Sequence, residues 1–363
     1  MKFEKFKILF VTPNLNPGGS QKLIVNLLNN IENKDKYLLI YKKKECFLKR
    51  NITSKVDIIF SKSRRILLSF FEINKIIKEK NINCIFSSMR NMNIILGLYC
   101  YFFTLKTKLV LHEPNTMDEF KDMSFRKFIK INLMKLSYAN SNFIIANSRD
   151  TKNDLLKYRI INRKKIKVVS NPISVSEKKM DNLEKIKKFK KKKFTVVGCG
   201  ALTDQKNFEL LVNAFSIFKK KIKKTCLVII GDGFLREKIK RRVERLGLKK
   251  DVLITGFVKN PYKIFKISNM FVLSSRYEGF GNVLVEAVFA KMKIISTNCK
   301  GGPKDILKNG KYGYLARNDN QNDLADKMLK CYKKPKKINY DYFFEKYSSK
   351  NISKKYLKIF MSK

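Results

Sequence analysis

Two stretches of the chain follow one plan. Residues 7–31 read KILFVTPNLNPGGSQKLIVNLLNNI, and residues 194–222 read FTVVGCGALTDQKNFELLVNAFSIFKKKI. Each opens with a short apolar run, passes through a loop holding glycine and small polar residues, and continues with apolar residues at helical spacing. In the first, residues 23, 24, 27, 28 and 31 fall on one helical face. Strand, glycine turn and helix, in that order, begin a doubly wound α/β domain.

The rest of each half keeps the alternation. After the first unit come strand candidates YLLIY (37–41), VDIIF (56–60), NCIFSS (83–88), KLVLHE (108–113) and NFIIANS (142–148), with helices expected over 66–80, 92–104 and 124–139. After the second come CLVIIG, VLITGFV, MFVLSS and KIISTN as strands, separated by helical segments. Strands alternating with helices argue for parallel sheets. Residues 176–193, SEKKMDNLEKIKKFKKKK, interrupt the pattern and read as a lysine-rich linker or surface helix. The expected organisation is an N-terminal Rossmann-like domain over 1–175, this segment, and a C-terminal Rossmann-like domain over 194–341, with a last helix near 342–363 packing back on the first domain. Two such domains would face a central cleft, lined by the loops at the carboxyl ends of the strands.

The 363 residues carry 80 Lys and Arg against 30 Asp and Glu, a net charge of +50. Such a charge favours anionic partners: nucleic acid, an anionic membrane face or phosphorylated substrates. The lysines are scattered rather than gathered, which AT-rich coding alone would also produce. A nucleic-acid-binding protein would need clustered basic residues with stacking aromatics or a known module, and neither is found. Seven cysteines without a CxxC pair and a single histidine exclude a zinc site of ordinary spacing and fit reduced thiols in the cytosol. The longest apolar run, Ile94 to Leu105, is twelve residues, too short to span a bilayer and suited to a buried core helix. The start, MKFEKFKILFVTP, lacks the pattern of a signal peptide.

Chemistry concentrates in the predicted loops. SSRYEGFGNVLVEA, residues 274–287, leaves a strand, turns on glycines and enters a helix. Glycines let the backbone approach a ligand, and the free N–H groups of a helix start attract anions, so a phosphate or diphosphate fits here. Glu286, one turn into that helix, would repel phosphate and suits the hydroxyls of a ribose; Glu278, at the turn, suits hydroxyls at the ligand's other end. Alternatively, Glu286 pairs with a lysine of a neighbouring helix. GALTDQKN, residues 200–207, makes a second strand-to-helix loop and offers Lys206 as a point charge for phosphate. Gly18 and Gly19 form a tight turn after the first strand. His112, the only histidine, ends a predicted strand. No GxxxxGK[ST] occurs, GCGALT lacks the last glycine of the dinucleotide fingerprint, and no DxD lies in the cleft loops, so neither a P-loop, a dehydrogenase nor a metal-held diphosphate is indicated.

Taken together, these motifs resemble the family-4 retaining glycosyltransferases of GT-B fold. EGFGNVLVE, Glu278 to Glu286, is similar to the E-x7-E motif of that family. GALTDQKNFELLVNAF, IGDGFLREKI, GFVKNPY and GGPKDILKNGKYGYL match its successive blocks in order. NPGGSQKLIVNLL, the HE at 112–113, the NS at 147–148 and SNPIS at 170–174 extend the resemblance over nearly the whole chain. It implies that a sugar, a hexose or N-acetylhexosamine, moves with retention from a nucleotide donor, UDP-linked, to a lipid-linked or cell-surface glycan. Glu286 would bind the ribose. Glu278 would contact sugar hydroxyls, with Gly279, Phe280, Gly281, Asn282 and Val283 around the sugar or diphosphate. Lys206 would neutralise the leaving diphosphate, Gly18 and Gly19 would close on the donor, and His112 would sit beside the transferred sugar. Arg90 and Glu113 would lie on the acceptor side. No cofactor or metal is expected.

The family usually places an arginine after the glycine of GALTDQKN; here the residue is Ala201, with Arg276 and Arg90 as candidate replacements. The resemblance also implies work at the cytoplasmic face of a membrane. FKDMSFRKFIKINLMKL, residues 120–136, is basic and aromatic-rich and would dock on anionic lipid. The alternatives are an ordinary surface helix here, and a soluble transferase acting on a small-molecule or protein acceptor.

Overall fold

The computed structural model describes residues 6–32, 35–63, 70–103, 107–120, 124–177, 183–191 and 193–362. The chain divides into two units, residues 1–173 with 346–363, and residues 174–345.

The first unit is built on β1 (Ile8–Thr12), α1 (Gly19–Asn30), β2 (Lys36–Ile40), β3 (Asp57–Phe60), α2 (Phe70–Lys80), β4 (Cys84–Ser87), α3 (Arg90–Phe102), β5 (Lys108–Glu113), α4 (Ser124–Ala139), β6 (Phe143–Ala146), α5 (Arg149–Lys157) and β7 (Ile166–Val168). Its seven strands are all parallel, in the order β3-β2-β1-β4-β5-β6-β7. A parallel sheet covered on both faces buries successive residues, which is why ILFVT is buried at every position. Leu9 and Val11 enter one core with Ile73, Ile77 and Leu96, while Ile8 and Phe10 enter the other with Leu27 and Leu28. The pleat thus sorts one run of apolar residues into two cores.

The second unit contains α6 (Leu183–Lys190), β8 (Phe194–Cys199), α7 (Phe208–Lys221), β9 (Thr225–Ile230), α8 (Arg236–Arg245), β10 (Val252–Ile254), α9 (Pro261–Lys266), β11 (Met270–Leu273), α10 (Asn282–Phe289), β12 (Lys293–Thr297), α11 (Gly302–Ile306), β13 (Tyr314–Ala316) and α12 (Gln321–Lys333). Its six parallel strands run β10-β9-β8-β11-β12-β13. Two helices follow, α13 (Tyr340–Tyr347) and α14 (Ser349–Met361). Residues 346–363 belong to the first unit: Ile352, Tyr356 and Phe360 of α14 are buried in its second core, where Phe360 packs on Phe86 and Phe10.

Of the two readings of the lysine-rich segment, the helix holds over Leu183–Lys190, with Ile186 buried; residues 178–182 and 192 lie outside the described residues. One expectation changes. The apolar run from Ile94 is a core helix only in part. Ile94, Leu96 and Tyr99 are buried, but Tyr101 and Phe102 are 57% and 68% exposed.

Candidate active site

In the second unit the order of strands reverses between β8 and β11. Ligands of such sheets bind where the order reverses, beyond the carboxyl ends of the strands. The loops leaving β8 and β11 therefore run side by side. Arg276 N–H donates to the Gln205 carbonyl at 2.8 Å, Gln205 Nε2 to the Tyr277 carbonyl at 3.1 Å, and Ser274 Oγ to the Lys206 carbonyl at 2.8 Å.

This stitching brings together Lys206 and Glu278, 72 residues apart, with Nζ 2.5 Å from Oε1. Ser275 Oγ donates to the same oxygen at 2.6 Å. Glu278 is 5% exposed and the Lys206 side chain 19%. The ammonium has three donors and directs one of them to Glu278. Behind Glu278 the backbone is pinned: its N–H donates to Lys300, and Gly302 N–H donates to Gly279. A Cβ on Gly301 would lie 2.0 Å from the Glu278 carbonyl oxygen, and its φ is +118°, so only glycine fits there.

Gly279, Phe280 and Gly281 are buried, while Asn282 and Val283 are half-buried. Gly281 caps α10 in the left-handed region, with φ +95° and no capping side chain. The first amides of a helix have no partner inside it and carry the positive end of its dipole. Glu286, the fifth residue of α10, is 5% exposed. Arg276 is exposed; its Nε pairs with Asp319 at 3.0 Å and its Nη1 donates to the Asp204 carbonyl at 2.9 Å. Ala201 is exposed on the loop that carries Lys206.

In the first unit the order reverses between β1 and β4. Gly18 and Gly19 sit after β1, where Gly18 precedes α1 and Gly19 begins it. Beside them Ser88 Oγ donates to the Ser20 carbonyl at 3.0 Å. His112 is the fifth residue of β5, 1% exposed. Its Nε2 lies 3.1 Å from Asn171 Oδ1, and Asn93 Nδ2 donates to its carbonyl at 2.8 Å. Burial pushes its pKa down to about 4, against the opposing effects of Asn171 and the Ser88 backbone, so the ring is neutral at pH 7.

Arg90 and Glu113 form a buried pair, with Nη2 2.6 Å and Nε 2.9 Å from Glu113 Oε1. Arg90 Nη1 donates to Glu119 at 2.6 Å, and Tyr138 Oη donates to the second oxygen of Glu113 at 2.8 Å. Burial works against the charge of Arg90, but the carboxylates of Glu113 and Glu119 outweigh it and raise its pKa. All three guanidinium nitrogens are thus committed to partners within the unit. Arg90 is buried and held by internal partners, whereas Arg276 is exposed.

The sequence showed Lys206 and Glu278 as separate candidates, not as a pair. It gave no sign of the Arg90–Glu113–Tyr138 network, whose members lie 23 and 25 residues apart. Asn171 was within reach, since the block SNPIS contains it. Among the described residues, no group of three or more His, Cys, Asp and Glu could hold a metal ion, and no helix is long and apolar enough to cross a membrane. All seven cysteines are free.

Two family models match the chain. One, Glycosyltransferase Family 4, matches residues 17–201; the other, Glycosyl transferases group 1, matches residues 179–345. An N-acetylgalactosamine-N,N'-diacetylbacillosaminyl-diphospho-undecaprenol 4-alpha-N-acetylgalactosaminyltransferase of Campylobacter jejuni is 28% identical over 345 residues, covering 88% of this chain and 91% of its own. The amylovoran biosynthesis glycosyltransferase AmsD of Erwinia amylovora is 24% identical over 310 residues, 85% of each chain. Among solved structures, Anabaena HepE in complex with UDP-glucose has a TM-score of 0.80 at 16% identity, over 97% of this chain and 98% of its own. The lipopolysaccharide outer core galactosyltransferase WaaB has a TM-score of 0.71 at 18% identity, again over 97% and 98%. These structures share the fold, two parallel-sheet α/β domains of GT-B type.

Proposed function

We propose, since the chain belongs to glycosyltransferase family 4, that it moves a hexose or N-acetylhexosamine from a UDP-linked donor to a lipid-linked or cell-surface glycan, with retention at the anomeric carbon. That it is a glycosyltransferase follows from the family. One observation carries the finer reading. Lys206 and Glu278 meet where the sheet order reverses, beside a glycine-capped helix that carries a buried Glu286. A cation, a hydroxyl acceptor and the positive end of a helix are the groups a nucleotide-sugar needs. UDP-glucose in HepE and the diphospho-undecaprenol in the name of the Campylobacter relative support the donor and acceptor classes.

In this reading Glu286 holds the ribose diol, and Glu278 and the amides of Gly279 to Asn282 meet the sugar and diphosphate. Lys206, assisted by Arg276, neutralises the charge that develops on the departing diphosphate. The acceptor oxygen bonds to the anomeric carbon on the face the diphosphate leaves, and its proton passes to the departing phosphate oxygen. No strong protein base and no metal is required. The internal network of Arg90 and Glu113 shapes the acceptor side rather than touching phosphate.

A lipid-linked acceptor calls for a protein held at the cytoplasmic face of a membrane. The outer face of α4 favours this: Phe125, Phe128, Ile129, Leu133 and Leu136 are 39–73% exposed, on a helix that also carries Lys130 and Lys135. Residues 121–123 of the expected segment lie outside the described residues. An apolar stripe edged with lysine suits an anionic lipid surface.

The test is binding and slow hydrolysis over a panel of UDP-, GDP- and ADP-sugars, with Glu286→Ala alongside. One UDP-sugar should bind and the variant should lose it. Equal binding by the variant, or preference for GDP- or ADP-sugars, would overturn the donor assignment.

A further inference from the structure

Helix α8 carries a charge pattern that works against its own stability. Lys238, Arg242 and Arg245 stand at i, i+4 and i+7, so three cations line one face. Like charges at that spacing destabilise a helix. The helix's own carboxylates are turned elsewhere: Glu237 pairs with Lys240 and Glu244 with Lys249. The stripe forms one wall of a cavity of about 420 Å³, bounded also by α7, by Arg276 after β11 and by Asp319 before α12. Every wall residue belongs to the second unit, and Lys206, Glu278 and Glu286 are not among them.

The walls hold four cations and two carboxylates. Lys238 pairs with Glu209 at 2.8 Å, and Arg276 Nε with Asp319 at 3.0 Å. Among the described residues, Arg242 and Arg245 have no carboxylate partner, so two positive charges are left uncompensated. The guanidinium groups are held with outer nitrogens open. Arg242 Nε donates to Asn213 Oδ1 at 2.6 Å, and Arg276 Nη1 to the Asp204 carbonyl at 2.9 Å. Among the described residues nothing bonds Nη1 or Nη2 of Arg242, Nη2 of Arg276 or any nitrogen of Arg245.

Composition sharpens the point. Of the 80 basic residues 66 are lysine and 14 arginine, so four cations drawn from this chain would on average include fewer than one arginine. This cavity has three. Lysine is what biased coding scatters over a surface; the arginine fork is what grips two oxygens of one oxyanion.

We propose that this cavity is a second anion site, separate from the donor site, and that its ligand is a phosphate dianion, free or as the monoester of a small molecule. Two uncompensated cations match the charge of nearly two that a phosphate monoester carries at neutral pH. The volume lies toward the lower end of small-ligand sites, about 300–1,000 Å³, and exceeds what a bare phosphate fills. Anchoring each fork through its inner nitrogens lowers the ordering cost of binding.

The test is calorimetric titration of the whole protein with inorganic phosphate and with glucose 6-phosphate. It is run at about 0.15 M salt, where diffuse surface attraction is screened beyond roughly 8 Å. One equivalent should bind with a Kd of about 1 mM or tighter. Tighter binding of glucose 6-phosphate assigns the monoester, equal binding the free ion, and either supports the site. Arg242→Lys with Arg245→Lys keeps the net charge and the aliphatic stems, so Tm should match the parent's, yet loss of both forks should weaken binding at least tenfold. Equal binding by this variant, or no saturable binding by the parent, would reduce the cavity to diffuse charge and overturn the proposal. The variant should also keep the parent's binding of nucleotide-sugar; a parallel loss there would make the cavity part of the donor site and overturn it too. The phosphate titration needs no donor, so a failed donor assignment leaves it standing.

Discussion

Removing either member of the Lys206–Glu278 pair should not have the same effect on stability. In Lys206→Met the group left behind is Glu278, 6% exposed at its side chain, which keeps Ser275 Oγ at 2.6 Å and loses the cation at 2.5 Å. Breaking a buried pair from one side costs about 3–5 kcal/mol, and the retained hydroxyl places this case near 3 kcal/mol. In Glu278→Gln the group left behind is an ammonium with 19% of its side chain exposed, which can turn to water. The amide keeps the Ser275 hydrogen bond, so the loss is about 1 kcal/mol. A difference of about 2 kcal/mol corresponds to roughly 4–8 °C in Tm for a unit of this size. Thermal unfolding followed by calorimetry reads it directly, with Lys206→Met melting lower. Equal Tm values, or Glu278→Gln melting lower, would refute the account of which charge is stranded. Turnover should separate the residues further: Lys206→Met should lower kcat by about 10²–10³, as expected on removing a group that stabilises leaving-group charge.

Other outcomes can be checked alongside. Gly231→Ala would place a Cβ 1.8 Å from the Gly200 carbonyl oxygen and should yield little folded protein, whereas Gly247→Ala meets nothing within 4 Å and should cost about 1 kcal/mol in urea unfolding. The His112 pKa is lowered to about 4 by folding. Its contribution is therefore constant above about pH 6.5 and lost as pH falls from there toward 4, about 3 kcal/mol in all; His112→Gln should remove that part of the pH dependence of unfolding. Phe125→Ser with Phe128→Ser should leave Tm nearly unchanged, because both rings are exposed, yet lower co-sedimentation with phosphatidylglycerol vesicles at least tenfold. Unchanged sedimentation would favour a soluble acceptor.

The sheets were legible because each long strand is an apolar run bounded by turn residues. KLVLHE at 108–113 and the helix at 124–139 coincide with their observed limits. β7 and β13 escaped notice. Each has three residues, and β7 is an edge strand whose sequence, Ile-Lys-Val, leaves two of three side chains exposed. At the site, glycine turns and lone charged residues were visible, but their pairing was not. Lys206 finds Glu278 because β8 neighbours β11, a fact of strand order that local sequence does not carry. The same holds for His112 in β5 and Asn171 after β7, 59 residues apart. Arg90 shows the converse: a charged residue taken for a ligand-facing cation turns out to be an internal strut.

The chain leaves the first unit at residue 173 and re-enters it at residue 346. In biosynthesis the first sheet is therefore made long before α14, whose Ile352, Tyr356 and Phe360 complete its core. Until those residues arrive, Phe10 and Phe86 lack their edge-on and tilted partners at 6.2 and 5.2 Å. The second unit can fold as one uninterrupted stretch, but the first must wait for it, holding an open apolar face that is exposed to aggregation in the meantime. A single cut between the units cannot separate them, because the part released at residue 173 would lack its own last helix.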